Sequence, residues 1–297
     1  MFAGCATPQY AVYPVPAPVE SPAVRQFETE VSDYQAALFD RDDPRPLRRG
    51  QRVWGFDVVQ TVERISQVTE RAALAWRVFL YQDDEPNAAA LPDGRIYISR
   101  GMLNYLASRG SRESELAFVL AHELAHTTAQ HLLERYEQLQ RQGLVMGLVG
   151  LGAAIVARQS AEVGGLIQDV GTLVNDVVAS GYSQAQELEA DQLGIRYCLR
   201  AGYDPQAALS LLEDFQQFEV PWPFFRTHPY IERRTQDLRQ YLAEGAPGTQ
   251  VPGPGPSSHD REALRRRLRE AQKLYPVGSQ SWRNLQRQLE ELERLED

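Results

Sequence analysis

Apolar residues recur at two different spacings along the N-terminal third of the chain. In residues 27–38 and 58–68 they lie three or four positions apart, which predicts two amphipathic helices. In residues 76–80 and 96–98 they alternate with other residues, which predicts strands, and a Pro-Asp-Gly turn at 92–94 precedes the second run. This part of the chain therefore predicts a small β-hairpin or sheet accompanied by helices.

Helical spacing dominates the rest of the chain as far as residue 244. A short helix is predicted at 101–108. A longer helix begins around Ser111, whose hydroxyl suits an N-cap, and continues past His131. The fold class predicted from these periods is α+β, mainly α-helical, with one small sheet.

One uncharged run raises the question of a membrane segment. Residues 143–157 contain no charged side chain, but a helix that spans a bilayer needs about 20 apolar residues. A helical stripe of apolar residues continues after Arg158 as far as Val177. We therefore favour a soluble helical hairpin over an element that dips into a membrane.

Proline and glycine divide the chain into segments. Of 18 prolines, five lie in residues 1–24 and four in residues 245–256, where four glycines accompany them. This composition favours an extended, weakly ordered chain. We predict a Pro-rich tether at 1–24, a main domain at 25–244, a Gly/Pro linker at 245–256 and a helical tail at 257–297. For the tail we favour packing on the main domain over docking of a partner.

Charge and cysteine content exclude several classes of protein. With 31 basic and 40 acidic residues the formal net charge is −9, so the chain is no nucleic-acid binder that works through overall charge. The two cysteines, Cys5 and Cys198, exclude a disulfide framework and an all-cysteine metal site. Any metal bound here must therefore use histidine and carboxylate ligands.

The sequence His-Glu-Leu-Ala-His at 122–126 lies in a segment with helical spacing. Because residues four apart share a helix face, His122 and His126 can present two imidazole nitrogens to one metal ion. Glu123 lies one step round the helix, where it can reach a water held by that metal. The alternative is a pair of ordinary helix histidines, but the pattern in its helical context favours a zinc site.

A hydrolytic zinc site has three protein ligands and one open position, so one more ligand is needed. His131 is turned about 140° from His126 on a continuous helix, and we interpret it as a residue of the surface or of the layer behind the ligands. Glu187 and Asp191 lie four residues apart on a second helical segment, where one can ligate and the other support a ligand histidine. Glu189 between them points elsewhere. The alternative for this segment is an acidic, solvated helix face.

The two motifs in this order resemble the HtpX-like and CAAX-prenyl-protease-like family of gluzincin zinc metallopeptidases, in its soluble envelope type. The resemblance covers about residues 25–243 and implies a zincin-like metallopeptidase body with the small sheet at the edge of the cleft. It also implies that Glu187 is the third zinc ligand and Asp191 the supporting acid. The family commonly has Ser-Arg before this element, whereas this chain has Ser183-Gln184.

Two further stretches extend the resemblance. Residues 87–98 resemble the family's edge strand beside the cleft, which implies pairing with an extended peptide substrate. The residues assigned to substrate binding on this basis are Asn87, Ile96, Tyr97 and Ile98. Thr227-His228-Pro229, followed by Arg234, resembles a pair near the metal. His228 and Arg234 can stabilise a developing oxyanion, or His228 can occupy the open zinc position instead, and we favour the second role.

The N-terminal residues Ala3-Gly4-Cys5 resemble the end of a bacterial lipoprotein signal, where the cysteine becomes lipidated. The residues before Cys5 supply no apolar core of about 7–15 residues, which a signal needs. Cys5 is therefore either a lipidation site or an ordinary thiol. Lipidation would associate the chain with a membrane of the cell envelope and imply a periplasmic location.

We predict a zinc-dependent endopeptidase acting on unfolded or misassembled proteins. The resemblance implies quality control in the bacterial envelope, with protein substrates and envelope partner proteins. The competing hypothesis is a non-catalytic, chaperone-like binding protein in which zinc is structural and Glu123 has no task. An integral membrane prenyl-protein protease is excluded, because it needs several apolar spans of about 20 residues and the sequence has none.

Overall fold

The computed structural model describes residues 12–110, 112–142, 170–177, 180–217 and 222–246, together with individual positions between 265 and 290. Several sequence predictions lie outside the described residues. These concern the lipidation candidate Cys5, the N-cap Ser111, the uncharged run 143–157 and most of the Gly/Pro linker.

Helices form most of the described structure, and residues 170–177 are helical as well. With their bounds they are α1 (Pro22–Phe39), α2 (Val58–Ser66), α3 (Arg100–Ser108), α4 (Glu113–Thr128), α5 (His131–Arg141), α6 (Gln184–Arg200), α7 (Gln206–Phe215), α8 (Pro223–Thr227) and α9 (Ile231–Ala243). The two helices predicted from the early apolar period correspond to α1 and α2. The predicted class, mainly α-helical α+β, is confirmed.

The four strands form one mixed sheet in the order β1-β2-β4-β3. They are β1 (Arg45–Pro46), β2 (Arg77–Tyr81), β3 (Ala88–Ala90) and β4 (Arg95–Ser99). Strand β2 runs parallel to β4, and β3 pairs with β4 in an antiparallel hairpin. Gly94 in the hairpin turn has φ +90°, and a Cβ there would lie 2.9 Å from the carbonyl oxygen of Ala75. The turn therefore requires glycine.

The sheet order corrects the prediction for the substrate strand. Strand β4 is an inner strand with neighbours on both sides, so its backbone groups are used within the sheet. Ile96 and Ile98 are fully buried in the core, and Tyr97 is buried against Phe39 and Phe79. The assignment of Ile96, Tyr97 and Ile98 to substrate binding is therefore wrong. The edge strand of the hairpin is β3.

Helix α4 lies at the centre of the domain. Every residue from Glu115 to Thr128 is buried, the polar ones included. Its closest neighbour is α6, and a Cβ at Gly194 would lie only 3.2 Å from the backbone nitrogen of His122. Glycine at this position lets the two helices approach closely, and their contact brings the acidic segment of α6 against the HExxH segment of α4.

Helix α4 ends earlier than its spacing predicts. It stops at Thr128, Gln130 adopts a left-handed conformation with φ 57°, and α5 starts at His131. A non-glycine residue in this region carries strain that its surroundings must offset. The side chain of Gln130 exchanges hydrogen bonds of 2.7 and 3.0 Å with the backbone of Val19 and also donates to Glu28. The prediction of one continuous helix past His131 is wrong.

The first described residues are more firmly packed than a Pro-rich tether predicts. Val12 and Tyr13 are buried, and the backbone N–H of Tyr13 donates to Gln192 over 3.0 Å while Arg196 donates to its carbonyl oxygen. Residues 12–20 belong to no helix or strand, but the N–H and C=O groups of Tyr13 are both bound to side chains of α6. The expectation of weak order is therefore wrong for these residues.

Helix α1 is joined to the domain by a buried ion pair. Arg71 binds Glu28 through two hydrogen bonds of 2.9 and 2.8 Å, and both side chains are almost inaccessible to solvent. Arg71 also donates to the carbonyl oxygen of Thr127 in the last turn of α4. Because a buried pair with two parallel hydrogen bonds fixes geometry as well as charge, α1 and the C-terminal end of α4 are held in one arrangement.

In the tail, Leu268, Leu285 and Leu289 are buried together with Leu188 of the main domain and Tyr13 of the N-terminal segment. This contact favours the packed alternative for the tail, while the predicted domain boundaries stay a prediction. Among the described residues, we found no helix with the length and hydropathy required to cross a bilayer.

Candidate metal centre

Four buried side chains meet between α4, α6 and the segment after α8. Each offers one ligand atom, and these atoms all lie within 4.8 Å of one another. The four residues are His122, His126, Glu187 and His228. The first three are the ligands expected from the sequence and its resemblance, and the fourth is the histidine for which two roles were left open.

The separations between the ligand atoms suit a tetrahedral ion. The Nε2 atoms of His122 and His126 lie 3.1 Å apart. His122 Nε2 lies 3.5 Å from Oε2 of Glu187, and His126 Nε2 lies 3.4 Å from Oε1 of the same carboxylate. His228 Nδ1 lies 3.2 Å from His122 Nε2 and 3.2 Å from Glu187 Oε1. Zinc with ligands at about 2.0–2.1 Å requires separations of about 3.3–3.4 Å between them. The donor set therefore fits zinc in both chemistry and spacing.

The positions of the ligands follow from local structure. His122 and His126 lie one turn apart on α4 and therefore share a face. At the start of α6, Ser183 and Gln186 form a reciprocal capping box, which fixes the first turn of the helix. Glu187 is in that first turn. It is therefore directed at the histidines from an ordered helix end.

A buried arginine and aspartate support the ligands from behind. Asp191 lies 2.9 Å from His122 Nδ1, the ring nitrogen that faces away from the cluster. Arg234 on α9 donates two hydrogen bonds of 2.8 and 2.7 Å to Asp191 and lies 2.8 Å from Glu187. Burial alone would raise the pKa of Glu187, but the positive charge of Arg234, together with the adjacent imidazoles of His228, His122 and His126, outweighs it and holds that pKa well below its ordinary value. Glu187 is therefore an anion, as a metal ligand must be.

Glu123 is beside the cluster and is not part of it. Its Oε2 accepts a hydrogen bond of 3.2 Å from the backbone N–H of Ala90 on β3. Its Oε1 is buried and accepts no hydrogen bond from the described residues, although His228 Nε2 lies 3.3 Å away. Burial raises the pKa of Glu123 above its ordinary value. A carboxylate with a raised pKa and a vacant acceptor oxygen suits proton transfer.

His228 lies between the ligands and Glu123. One ring nitrogen faces the cluster and the other faces Glu123. Its ring stacks on Phe224 with 4.5 Å between ring centroids, and its backbone N–H donates to the carbonyl oxygen of Phe224. The imidazole thus lies where it could bind a metal as a fourth ligand, directly after a helix of only five residues, α8.

Two residues beside His126 were not predicted to contact it. Tyr182, just before the N-cap of α6, stacks on the His126 ring with 3.9 Å between centroids. Tyr182 belongs to no motif or periodic pattern in the sequence that would identify it as a residue of the site. His131 is fully buried, with Nδ1 2.8 Å from His126 Nδ1, so a surface position is wrong and the layer behind the ligands is its place. Glu189 contacts His131 over 3.4 Å, so it does not point elsewhere.

A cleft of about 280 Å³ reaches the cluster at His228. Its walls come from the edge strand β3, the C-terminal end of α1 and helix α8. Asn87, Glu123, Tyr182 and His228 are among the residues that line it. Of the four residues assigned to substrate binding, the structure places Asn87 at the cleft.

A HExxH helix, a glutamate from a second helix placed among its histidines and a further glutamate beside a cleft are the features of a gluzincin metallopeptidase centre. The sequence model of peptidase family M48 matches residues 56–242. The chain belongs to this family.

Several characterised proteins are similar to the chain. The beta-barrel assembly-enhancing protease of Escherichia coli is 33% identical over 166 residues, which are 54% of this chain and 33% of that protein. The mitochondrial metalloendopeptidase OMA1 of Schizosaccharomyces pombe is 30% identical over 191 residues, or 63% of this chain and 52% of that protein. The matched part thus spans between about a third and a half of these relatives.

Proposed function

We propose that this chain is a zinc endopeptidase that cleaves unfolded or misassembled proteins. The observation that carries the proposal is the position of Glu123, which is buried, lies outside the four-residue cluster and lines the cleft beside it. A structural zinc site needs four ligands but no such carboxylate and no cleft. The alternative of a non-catalytic binding protein therefore leaves Glu123 without a task.

The chain's residues divide the work of peptide hydrolysis. His122, His126 and Glu187 would hold zinc, which when bound would supply a Lewis acid for the activation of water and the polarisation of a peptide carbonyl. Glu123 accepts the proton of the attacking water and passes it to the leaving amine. Asp191 holds His122 in place. Arg234 forms ion pairs with both Glu187 and Asp191, and we propose that it also helps to stabilise the developing oxyanion.

The edge strand offers a template for an extended peptide. The carbonyl oxygen of Asn87 accepts a hydrogen bond from the Ser99 N–H, and the Leu91 N–H donates to the carbonyl oxygen of Arg95. The backbone N–H and C=O groups of alternate residues in this segment therefore face β4. The backbone groups of Ala88 and Ala90 therefore face away from β4, and Ala90 donates to Glu123. We assign substrate pairing to Ala88, with Asn87 beside it, because main-chain pairing holds a peptide irrespective of its sequence. Selectivity then depends on access to the cleft, which favours unfolded chains.

The expected result with the purified full chain is one zinc per molecule and cleavage of unfolded casein. Removing the metal with a chelator should abolish cleavage, and adding zinc back should restore it, because the donor set fits a tetrahedral ion. Elemental analysis and gel electrophoresis measure the two quantities. The non-catalytic alternative would be supported if the zinc-loaded parent and its His228→Ala variant both bound casein and left it intact.

His228→Ala is expected to raise basal proteolysis at matched zinc occupancy. His228 Nδ1 occupies the place of a fourth ligand, and a ligand there must leave before a substrate carbonyl can bind. If the capped state makes up about nine-tenths of the molecules, its removal increases the rate of casein cleavage about tenfold. If His228 instead holds the oxyanion, the rate falls by about 10² to 10³. Steady-state cleavage of casein distinguishes the two roles.

The double variant Glu123→Gln/His228→Ala is the control for this measurement. It should be inactive, because activity gained by opening the centre must still use the same general base. A slower His228→Ala enzyme rejects the capping role, and an unchanged rate rejects both roles.

We further propose that the chain acts in protein quality control in the bacterial envelope, with envelope proteins as substrates and partners. Support comes from the similarity to the beta-barrel assembly-enhancing protease of Escherichia coli. A periplasmic location and a lipid attached to Cys5, which would hold the chain at a membrane, belong to the same proposal and rest on the Ala3-Gly4-Cys5 sequence. Mass spectrometry of the envelope fraction tests for the lipid.

A further inference from the structure

The two ligand histidines of α4 are supported in different ways. His122 Nδ1 faces a carboxylate directly, at 2.9 Å from Asp191. His126 Nδ1 instead faces another imidazole nitrogen, Nδ1 of His131, at 2.8 Å. The far nitrogen of that second ring, Nε2, lies 3.4 Å from a carboxylate oxygen of Glu189. His126, His131 and Glu189 thus form a hydrogen-bonded series in which each side chain contacts the next.

Metal binding fixes the direction of both hydrogen bonds in this series. His126 faces the cluster with Nε2, so in the neutral ring that binds a metal the proton is on Nδ1. His126 therefore donates and His131 Nδ1 accepts. The proton of His131 must then be on Nε2, the atom that faces Glu189. Only one tautomer of each ring satisfies the whole arrangement.

We propose that His131 and Glu189 are positioning residues that fix the tautomer and ring orientation of the ligand His126. They touch neither the metal nor the substrate and act through His126 alone. The proposal rests on the proposed function in one respect, that the cluster binds zinc.

The fold holds His131 in this place by several independent contacts. The left-handed turn at Gln130 brings the chain back toward α4, and Gln130 is fixed by Val19 and Glu28. The carbonyl oxygen of His131 accepts a hydrogen bond of 3.3 Å from Gln186 in the capping box of α6. A strained residue anchored on both sides is expected where the position of the next side chain matters.

Zinc affinity of full-chain variants at His131 tests the proposal. Replacing a residue that orients a metal ligand usually weakens metal binding about 10- to 100-fold, and we expect this for His131→Leu. His131→Asn should recover zinc affinity to within about threefold of the parent, because its amide oxygen can take the place of Nδ1 as acceptor. Glu189→Gln keeps an acceptor without the charge and should weaken zinc binding less than His131→Leu does.

Competition with a chromogenic chelator gives the dissociation constants, and the visible spectrum of the Co²⁺-loaded protein reports ligand geometry. The spectrum of His131→Asn should match the parent, and that of His131→Leu should differ. A purely structural role predicts the reverse order, because leucine suits a buried site better than asparagine. Circular dichroism and thermal unfolding of the same samples establish that each variant is folded.

Equal zinc affinity in parent and His131→Leu overturns the proposal, as does equal loss in His131→Leu and His131→Asn. A parent chain that binds no zinc overturns the proposed function together with this inference. If the parent cleaves casein and His131→Leu binds zinc as tightly as the parent does, this inference alone is overturned.

Discussion

Replacing Glu123 with glutamine is expected to abolish peptide hydrolysis while zinc stays bound. Glu123 is outside the metal cluster, and glutamine can still accept the hydrogen bond from Ala90, so the site should keep its geometry. The amide cannot accept a proton from water. General-base catalysis contributes about 10²- to 10⁴-fold to rate, and casein cleavage should fall at least that far. Zinc content and cleavage rate are measured on the same sample.

Glu113→Gln is the matched control, because Glu113 lies in the first turn of the same helix and is exposed. It should change neither zinc content nor rate. Cleavage of casein by Glu123→Gln at the parent rate would contradict the proposed mechanism. Loss of zinc in this variant would instead place Glu123 among the groups that hold the metal.

Glu187→Ala is expected to lose zinc, and with it all proteolysis. It removes the one anionic donor of the cluster and leaves three imidazoles. Arg234 keeps its two hydrogen bonds to Asp191, so the fold should survive the change. Metal analysis after gel filtration measures the zinc retained.

Asp191→Asn is the comparison variant, because it changes a residue that contacts the ligand His122 from behind. The expected effect is a weakening of zinc affinity or activity by about 10- to 100-fold. Zinc retention in Glu187→Ala equal to that of the parent would refute the third-ligand assignment, whatever Asp191→Asn shows.

The elements that were predicted from the sequence are those that local period determines. Helices α1 and α2 each bury one face, and their apolar spacing shows it. The i,i+4 spacing of the two histidines on α4 predicts one shared face, because it depends only on helix geometry. The fold class followed from the same periods.

What the sequence did not predict depends on contacts between distant segments. Strand β3 consists of three alanines, which have no alternation, so apolar spacing does not distinguish it from the neighbouring strand β4 within the stretch 87–98. The break at Gln130 has neither glycine nor proline to mark it. Its left-handed backbone is held by residues about a hundred positions earlier in the chain. Without that break His131 could not be placed beside His126.

The residues that support this turn lie outside the stretch that the family has in common. Val19 and Glu28 precede residue 56, where the family match begins, yet both bind the glutamine that directs the chain back to the metal centre. Helix α1 also forms one wall of the cleft. The metal centre of this chain therefore depends on residues that precede residue 56. Evolution can alter the centre of this enzyme, and engineers can tune it, through substitutions in an N-terminal segment that comparison within the family leaves out.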